Sequence, residues 1–168
     1  MDATALRALQ APIKERYREA PEAGLITLKA QGTLDDQAIA CKVETGRAVA
    51  VAGLHPATGG SGAELCSGDM LLEALVACAG VTLKAVATAL EIPLRSGRVK
   101  AEGDLDFRGT LGVDKEAPVG FKAIRLAFEV ETDAPQEKLD QLLKLTERYC
   151  VVFQSLNKPP ELSVTLAN

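Results

Sequence analysis

Apolar positions recur along this chain with two different periods, and the switches between them mark out its elements. From Thr4 to Ala20, Leu6, Leu9, Ile13 and Tyr17 fall at helical spacing, with Pro12 beginning the second half of the segment or kinking it. Three strand-like stretches follow. Leu25 to Ala30 is apolar and β-branched; Gln37 to Val43 places Ile39, Cys41 and Val43 on one side; Arg47 to Ala52 places Val49 and Val51 on one face. The loop His55-Pro56-Ala57-Thr58-Gly59-Gly60-Ser61-Gly62 carries too much Gly and Pro for a regular element, and no Lys follows it where a phosphate-cradling loop needs one. It reads as a connector, and His55 as a loop residue without catalytic duty.

From Asp69 to Leu90 the character changes. Nearly every position is apolar, Ser67 or Asp69 suits the N-cap, and Pro93 bars further helix. A helix apolar on nearly all sides is buried in a core or an interface. Its polar side chains sort at 100° per residue. Glu73, Lys84 and Thr88 fall within about 60° of one another, whereas Cys78 lies about 140° from Glu73, with Thr82 one turn beyond it. Cys78 therefore belongs to the apolar face.

Two half-buried strands come next. Val99, Ala101, Gly103, Leu105 and Phe107 alternate with charged residues, as do Ile124, Leu126, Phe128 and Val130, which predicts an antiparallel pair. The last helix is expected to start at a cap on Asp133, with Pro135 in its first turn and Gln136 in a capping box. Its stripe of Leu139, Leu142, Leu143, Thr146, Tyr149, Cys150 and Phe153 puts Cys150 on the buried face. Pro159-Pro160 ends it, and Leu162, Val164 and Leu166 predict a final strand.

Composition narrows the function. The 168 residues are 47% hydrophobic and 25% charged, as in an ordinary globular domain. With 19 basic against 23 acidic residues and no Trp, nothing supports a nucleic-acid surface. The first twenty residues are dense in charge and lack a secretory h-region, and the longest apolar run, Ala74 to Val81, is too short to span a bilayer. The expected setting is the cytoplasm, where thiols stay reduced, so the four cysteines are not a disulfide framework. No C-x-x-C spacing occurs and His55 is the only histidine, so neither a metal nor another cofactor is expected.

Free cysteine is most often a small buried hydrophobe. Cys41, alternating with Ile39 and Val43, reads that way; Cys66 precedes a helix cap and takes no role. By periodicity alone, Cys78 and Cys150 are core residues too. What sets them apart is that Ser67-Gly68-Asp69-Met70-Leu71-Leu72-Glu73-Ala74-Leu75-Val76-Ala77-Cys78, continuing to Thr82-Leu83, resembles the helix signature of the OsmC/Ohr family, a Leu-Leu-x-Ala-Leu-x-x-Cys run leading into Thr-Leu. Arg148-Tyr149-Cys150-Val151-Val152 resembles that family's second cysteine segment. The resemblance covers roughly Leu25 to Leu166 and agrees with the order strands, long helix, strand pair, helix, strand.

The resemblance implies an α+β fold of antiparallel sheets packed on a long buried helix, in an intertwined homodimer. Residues 1–22 then form a helical extension and 23–168 one OsmC-like domain. It also implies a thiol-dependent peroxidase of the oxidative stress response. Cys78 attacks an organic hydroperoxide and becomes a sulfenic acid, Cys150 resolves it as a disulfide, and an external dithiol of the dihydrolipoyl type reduces that bond. The hydroperoxide-reducing members activate the cysteine with an arginine held by a glutamate ten residues before it. Here that position is Gly68, Ser67 replaces the usual preceding Pro, and Arg47 is the nearest candidate for the arginine. Two other readings stand beside this one: a non-enzymatic relative binding a small hydrophobic ligand in an apolar dimer pocket walled by Cys78, and a redox sensor whose Cys78–Cys150 disulfide is the signal. Neither nucleic acid nor membrane is an expected partner.

Overall fold

A computed structural model describes residues 2–19, 31–34, 40–44, 49–112 and 114–167. The first helix, α1 (Ala3–Glu19), runs through Pro12. It opens on Asp2, whose carboxylate accepts the Ala5 N–H at 2.8 Å, the N-terminal capping that a bare first turn requires. A four-stranded sheet follows in the order β1 (Gln31–Leu34), β2 (Ala40–Glu44), β3 (Val49–Gly53) and β4 (Leu65–Cys66). β1 and β2 are antiparallel with Gln31 opposite Glu44, and β2 and β3 with Ala40 opposite Gly53. The expected strand at 25–30, and Arg47 with it, lie outside the described residues. The glycine-rich connector holds one 3-10 turn, Pro56–Thr58, and β4 then pairs parallel to β3. A two-residue parallel strand leaves no alternation in sequence to find.

The long helix α2 spans Ser67–Ala89. By length and composition it is apolar enough to cross a bilayer, but Leu75, Ala79, Leu83, Val86 and Ala87 are buried against protein. It ends in a Schellman motif. The Ile92 N–H reaches back to the Ala87 carbonyl at 2.8 Å and the Glu91 N–H to Thr88 at 3.1 Å, with Glu91 left-handed at φ 57°. Ile92 is buried where the motif places its apolar contact, and Pro93 prevents continuation.

β5 (Ser96–Asp104) and β6 (Ala123–Glu131) pair as a two-stranded sheet whose residues alternate between exposed and half-buried. Bonds from Arg95 N–H to Glu131 at one end and from Lys122 N–H to Asp104 at the other make it antiparallel. The strand stops at Asp104, short of the alternation that runs to Phe107. Asp106 caps a short helix, α3 (Phe107–Thr110), by accepting the Arg108 N–H at 3.2 Å, and it also pairs with the Arg108 guanidinium. That pairing holds its carboxyl down at about 2.

The last helical segment is two helices, α4 (Gln136–Tyr149) and α5 (Val151–Asn157), broken at Cys150. Asp133 is not the cap; it forms an ion pair with Arg95, and Pro135 occupies the cap position with no side-chain bond. The expected strand at Leu162–Leu166 is absent. Residues 159–167 form no regular element, and Leu162, Val164 and Leu166 are 82–96% exposed. An alternating segment becomes a strand only when another edge supplies its ladder bonds.

These elements fall into two compact units, Met1–Ala8, Ala74–Lys100 and Ala127–Asn168 in one, Leu9–Glu73 and Ala101–Leu126 in the other. The core of the first is Leu83, Val86, Ala87, Ile92 and Leu142, with Phe128, Val130, Leu139 and Leu145 packed against it.

Candidate functional site

Two elements of the first unit bring two sulfurs together. Cys78 rides in the middle of α2, half-buried, and Cys150 occupies the break between α4 and α5, 1% exposed. Both are unbridged, and each thiol influences the ionisation of the other. The periodicity of α4 explains the burial of Cys150, because Leu142, Thr146 and Cys150 follow one another at four-residue steps and all three are buried.

The break at Cys150 gives the site its electrostatics. With φ −74° and ψ 107°, Cys150 is extended, and it caps α5 without a side-chain bond of normal geometry to that helix. The first N–H groups of any helix lack intrahelical partners. Here those of Val151 and Val152 lie near the Cys78 sulfur and favour its anion. Burial pushes the Cys78 thiol up, but the Val152 N–H, the Cys150 thiol, the Val151 N–H and the Thr82 hydroxyl outweigh it and leave the thiol below its ordinary value. The Thr82 hydroxyl has one proton, which in the resting geometry goes to the Cys78 carbonyl at 2.8 Å. It must turn toward the sulfur to help the anion.

Cys150 moves the other way. Burial raises it first and the neighbouring Cys78 raises it further, while the approach of the Phe153 N–H offsets only part of the rise. The two thiols are shifted in opposite directions, which makes Cys78 the more readily ionised of the pair. Among the described residues, every group lowering Cys78 is a neutral donor. The one guanidinium nearby in sequence, Arg148, lies over the Tyr149 ring at 5.6 Å.

A single backbone donor can be removed without disturbing α5. Val151 is 68% exposed at the first helical position, where proline is favoured, and Cys150 before it already has the extended backbone a following proline requires. Val151→Pro is expected to slow iodoacetamide alkylation of Cys78 at pH 7 at least about tenfold, the value of one hydrogen bond to a charged group, and to move the midpoint of its pH profile upward. An unchanged profile would show that the amide does not stabilise the thiolate.

Sequence reasoning brought Cys78 and Cys150 to buried faces but missed the amide cradle, because the stripe from Leu139 to Phe153 reads as one helix. Cys66 lines a hollow in the other unit with His55. Among the described residues, no cluster of His, Cys, Asp and Glu suited to a metal ion occurs.

Fold and site together define an α+β protein with small sheets, a long apolar helix and two adjacent free cysteines of opposite polarity. The sequence profile of the family described as OsmC-like protein matches residues 60–165, well over half of the chain, and the protein belongs to that family. No protein of curated function matches it in sequence. Among solved structures it is similar to an OsmC-like protein from Mycoplasma pneumoniae, at 15% identity and TM-score 0.65, over 80% of this chain and 89% of that one. It is also similar to an organic hydroperoxide resistance protein OsmC from Legionella pneumophila, at 18% identity and TM-score 0.61, over 80% and 91%. An organic hydroperoxide resistance protein from Elizabethkingia anophelis matches at 15% identity and TM-score 0.62, over 80% and 91%. At such identities the likeness is one of fold.

Proposed function

We propose that this OsmC-like protein is a cytoplasmic, thiol-dependent reductase of organic hydroperoxides in which Cys78 attacks and Cys150 resolves. The polarised sulfur pair carries this reading. The Cys78 thiolate attacks the distal oxygen of R–O–O–H, the O–O bond breaks, and the departing alkoxide takes a proton to leave as R–OH. The sulfur keeps the transferred oxygen as a sulfenic acid. The Cys150 thiol then attacks that sulfur, a disulfide forms, and water leaves. A dihydrolipoyl-type dithiol reduces the disulfide and itself becomes a cyclic disulfide.

In this reading the amide groups of Val151 and Val152 do the work that an arginine does in the hydroperoxide-reducing relatives, with Arg47 as the candidate for any added cation. Val81, three residues after Cys78 on the same helix, and Val151, next to Cys150, are 73% and 68% exposed. Such apolar surface favours an alkyl hydroperoxide over hydrogen peroxide, at about 25 cal/mol per Å² buried.

One equivalent of cumene hydroperoxide is expected to produce a Cys78–Cys150 disulfide by mass spectrometry. The Cys150→Ser variant is expected to stop at a dimedone-reactive sulfenic acid on Cys78. Oxidation elsewhere, or none, would end the proposal.

A homodimer belongs to the same proposal. The C-terminal Leu162, Val164 and Leu166 alternate without a partner strand among the described residues, and Val81 on α2 is 73% exposed. A second copy would cover both, and light scattering is expected to give twice the chain mass. A monomer would contradict this.

A further inference from the structure

The second unit contains a hollow that the thiol chemistry does not use. It is a half-open hollow of about 380 Å³ that adjoins a second of about 350 Å³, the two sharing His55, Cys66, Gly68, Leu105, Phe107 and Phe121. The volume lies within the about 300–1,000 Å³ typical of small-molecule sites. Neither Cys78 nor Cys150 lines it.

The chain keeps this space open at two glycines. A Cβ on Gly68, in the first turn of α2, would lie 3.5–3.6 Å from Leu105 Cδ1, Cys66 Sγ and Phe121 Cζ, so a longer side chain there would project among the lining residues. A Cβ on Gly103 would come within 2.4 Å of Phe121 Cε1. The Phe121 ring thus lies against bare backbone, which only glycine permits.

The lining selects a class of occupant. Phe107 and Phe121 present aromatic surface, and Leu54, Leu71, Leu105 and Val119 add aliphatic walls. Leu54, Leu71 and Val119 remain 37–65% exposed, apolar surface that an occupant would cover. His55 stacks on Phe107 with ring centroids 4.8 Å apart and planes at 18°. Its Nδ1 accepts the Ala57 N–H at 3.0 Å, so the neutral ring carries its proton on Nε2 and offers a donor in the wall. Among the described residues no lysine or arginine lines either hollow, whereas Asp69 and Asp104 line the second. An anion is therefore disfavoured.

We infer that this hollow binds a small neutral aromatic molecule carrying one hydrogen-bond-accepting group. The four phenylalanines provide the test, since Phe107 and Phe121 line the hollow while Phe128 packs on the other core and Phe153 follows Cys150. The full-length protein is labelled with 3-fluorophenylalanine, its fluorine resonances are assigned by single Phe→Leu replacements, and it is titrated with 1-naphthol.

Saturable shifts at Phe107 and Phe121, with Phe128 and Phe153 stationary, are expected. Gly68→Leu is expected to weaken binding at least tenfold without moving the Phe128 and Phe153 resonances. Should that variant fail to fold, Val119→Asp on the exposed rim decides the matter with a several-fold loss. A shift at Phe153 alone would place the ligand at the thiol pair and overturn the inference. So would unchanged affinity in the variants, and no movement at saturating probe would leave the hollow to a protein partner.

Discussion

Consumption of cumene hydroperoxide in the presence of dihydrolipoamide is expected to fall at least about a hundredfold when Cys78 is replaced by serine. The reasoning is one of protonation and bonding. A thiolate attacks the O–O bond because sulfur ionises near neutral pH and accepts oxygen to become a sulfenic acid, whereas a serine hydroxyl stays protonated and has no such product. The donors around Cys78 make the difference large. The N–H groups of Val152 and Val151, with Cys150, favour a negative charge on the sulfur, and the Thr82 hydroxyl does so once it turns from the Cys78 carbonyl. Around a neutral serine hydroxyl they stabilise nothing that reacts.

The pH dependence has a definite sign. A depressed thiol keeps its anion as pH falls below the usual thiol range, so wild-type activity persists there and declines only as pH drops through the lowered value. Cys150, raised instead, remains a thiol over the same range and is ready to condense. Cys150→Ser is expected to keep the first turnover, because attack needs only Cys78. Equal rates for wild type and Cys78→Ser would remove the redox account and leave the family and fold standing.

The parts of this architecture that were legible in the sequence are those whose partners lie close along the chain or on one repeating face. The span of α2 followed from its apolar run and Pro93, and the β5–β6 pair from period-two alternation. What was not legible depends on distant partners. Leu162, Val164 and Leu166 alternate as a strand does, yet among the described residues no edge receives them. Phe107 continued an alternation, but Asp106 turned the backbone into a capped helix. The break at Cys150 has no glycine or proline to announce it. Its reward is the approach of two amide donors to a sulfur seventy-two residues earlier, which no local pattern encodes. The hollow beside Gly68 was equally hidden, since an absent side chain gives no periodic signal.

The seat of α4 sets where Cys150 stands, and Leu142→Ala tests that link. Leu142 is 2% exposed and packs with Leu83, Val86, Ala87 and Ile92, which ties α4 to the helix that carries Cys78. Two turns on, past the buried Thr146 whose hydroxyl bonds the Leu142 carbonyl at 2.8 Å, comes Cys150. Truncation removes the transfer free energy of the lost carbons and leaves a cavity that close-packed neighbours fill only in part, a loss of about 2–5 kcal/mol. A urea midpoint lowered by that loss divided by the slope, with the slope itself unchanged, is expected. Leu143→Ala is the control, one residue on, at 44% exposure and outside the core cluster, and is expected to cost under about 1 kcal/mol. The variant has a chemical signature as well. A loosened α4 lets Cys150 leave its buried position, so its alkylation should accelerate while closure of the Cys78–Cys150 disulfide slows. Equal destabilisation by the two substitutions, or loss of stability with the disulfide closing at its normal rate, would separate the core from the site and show that something other than the seat of α4 positions Cys150.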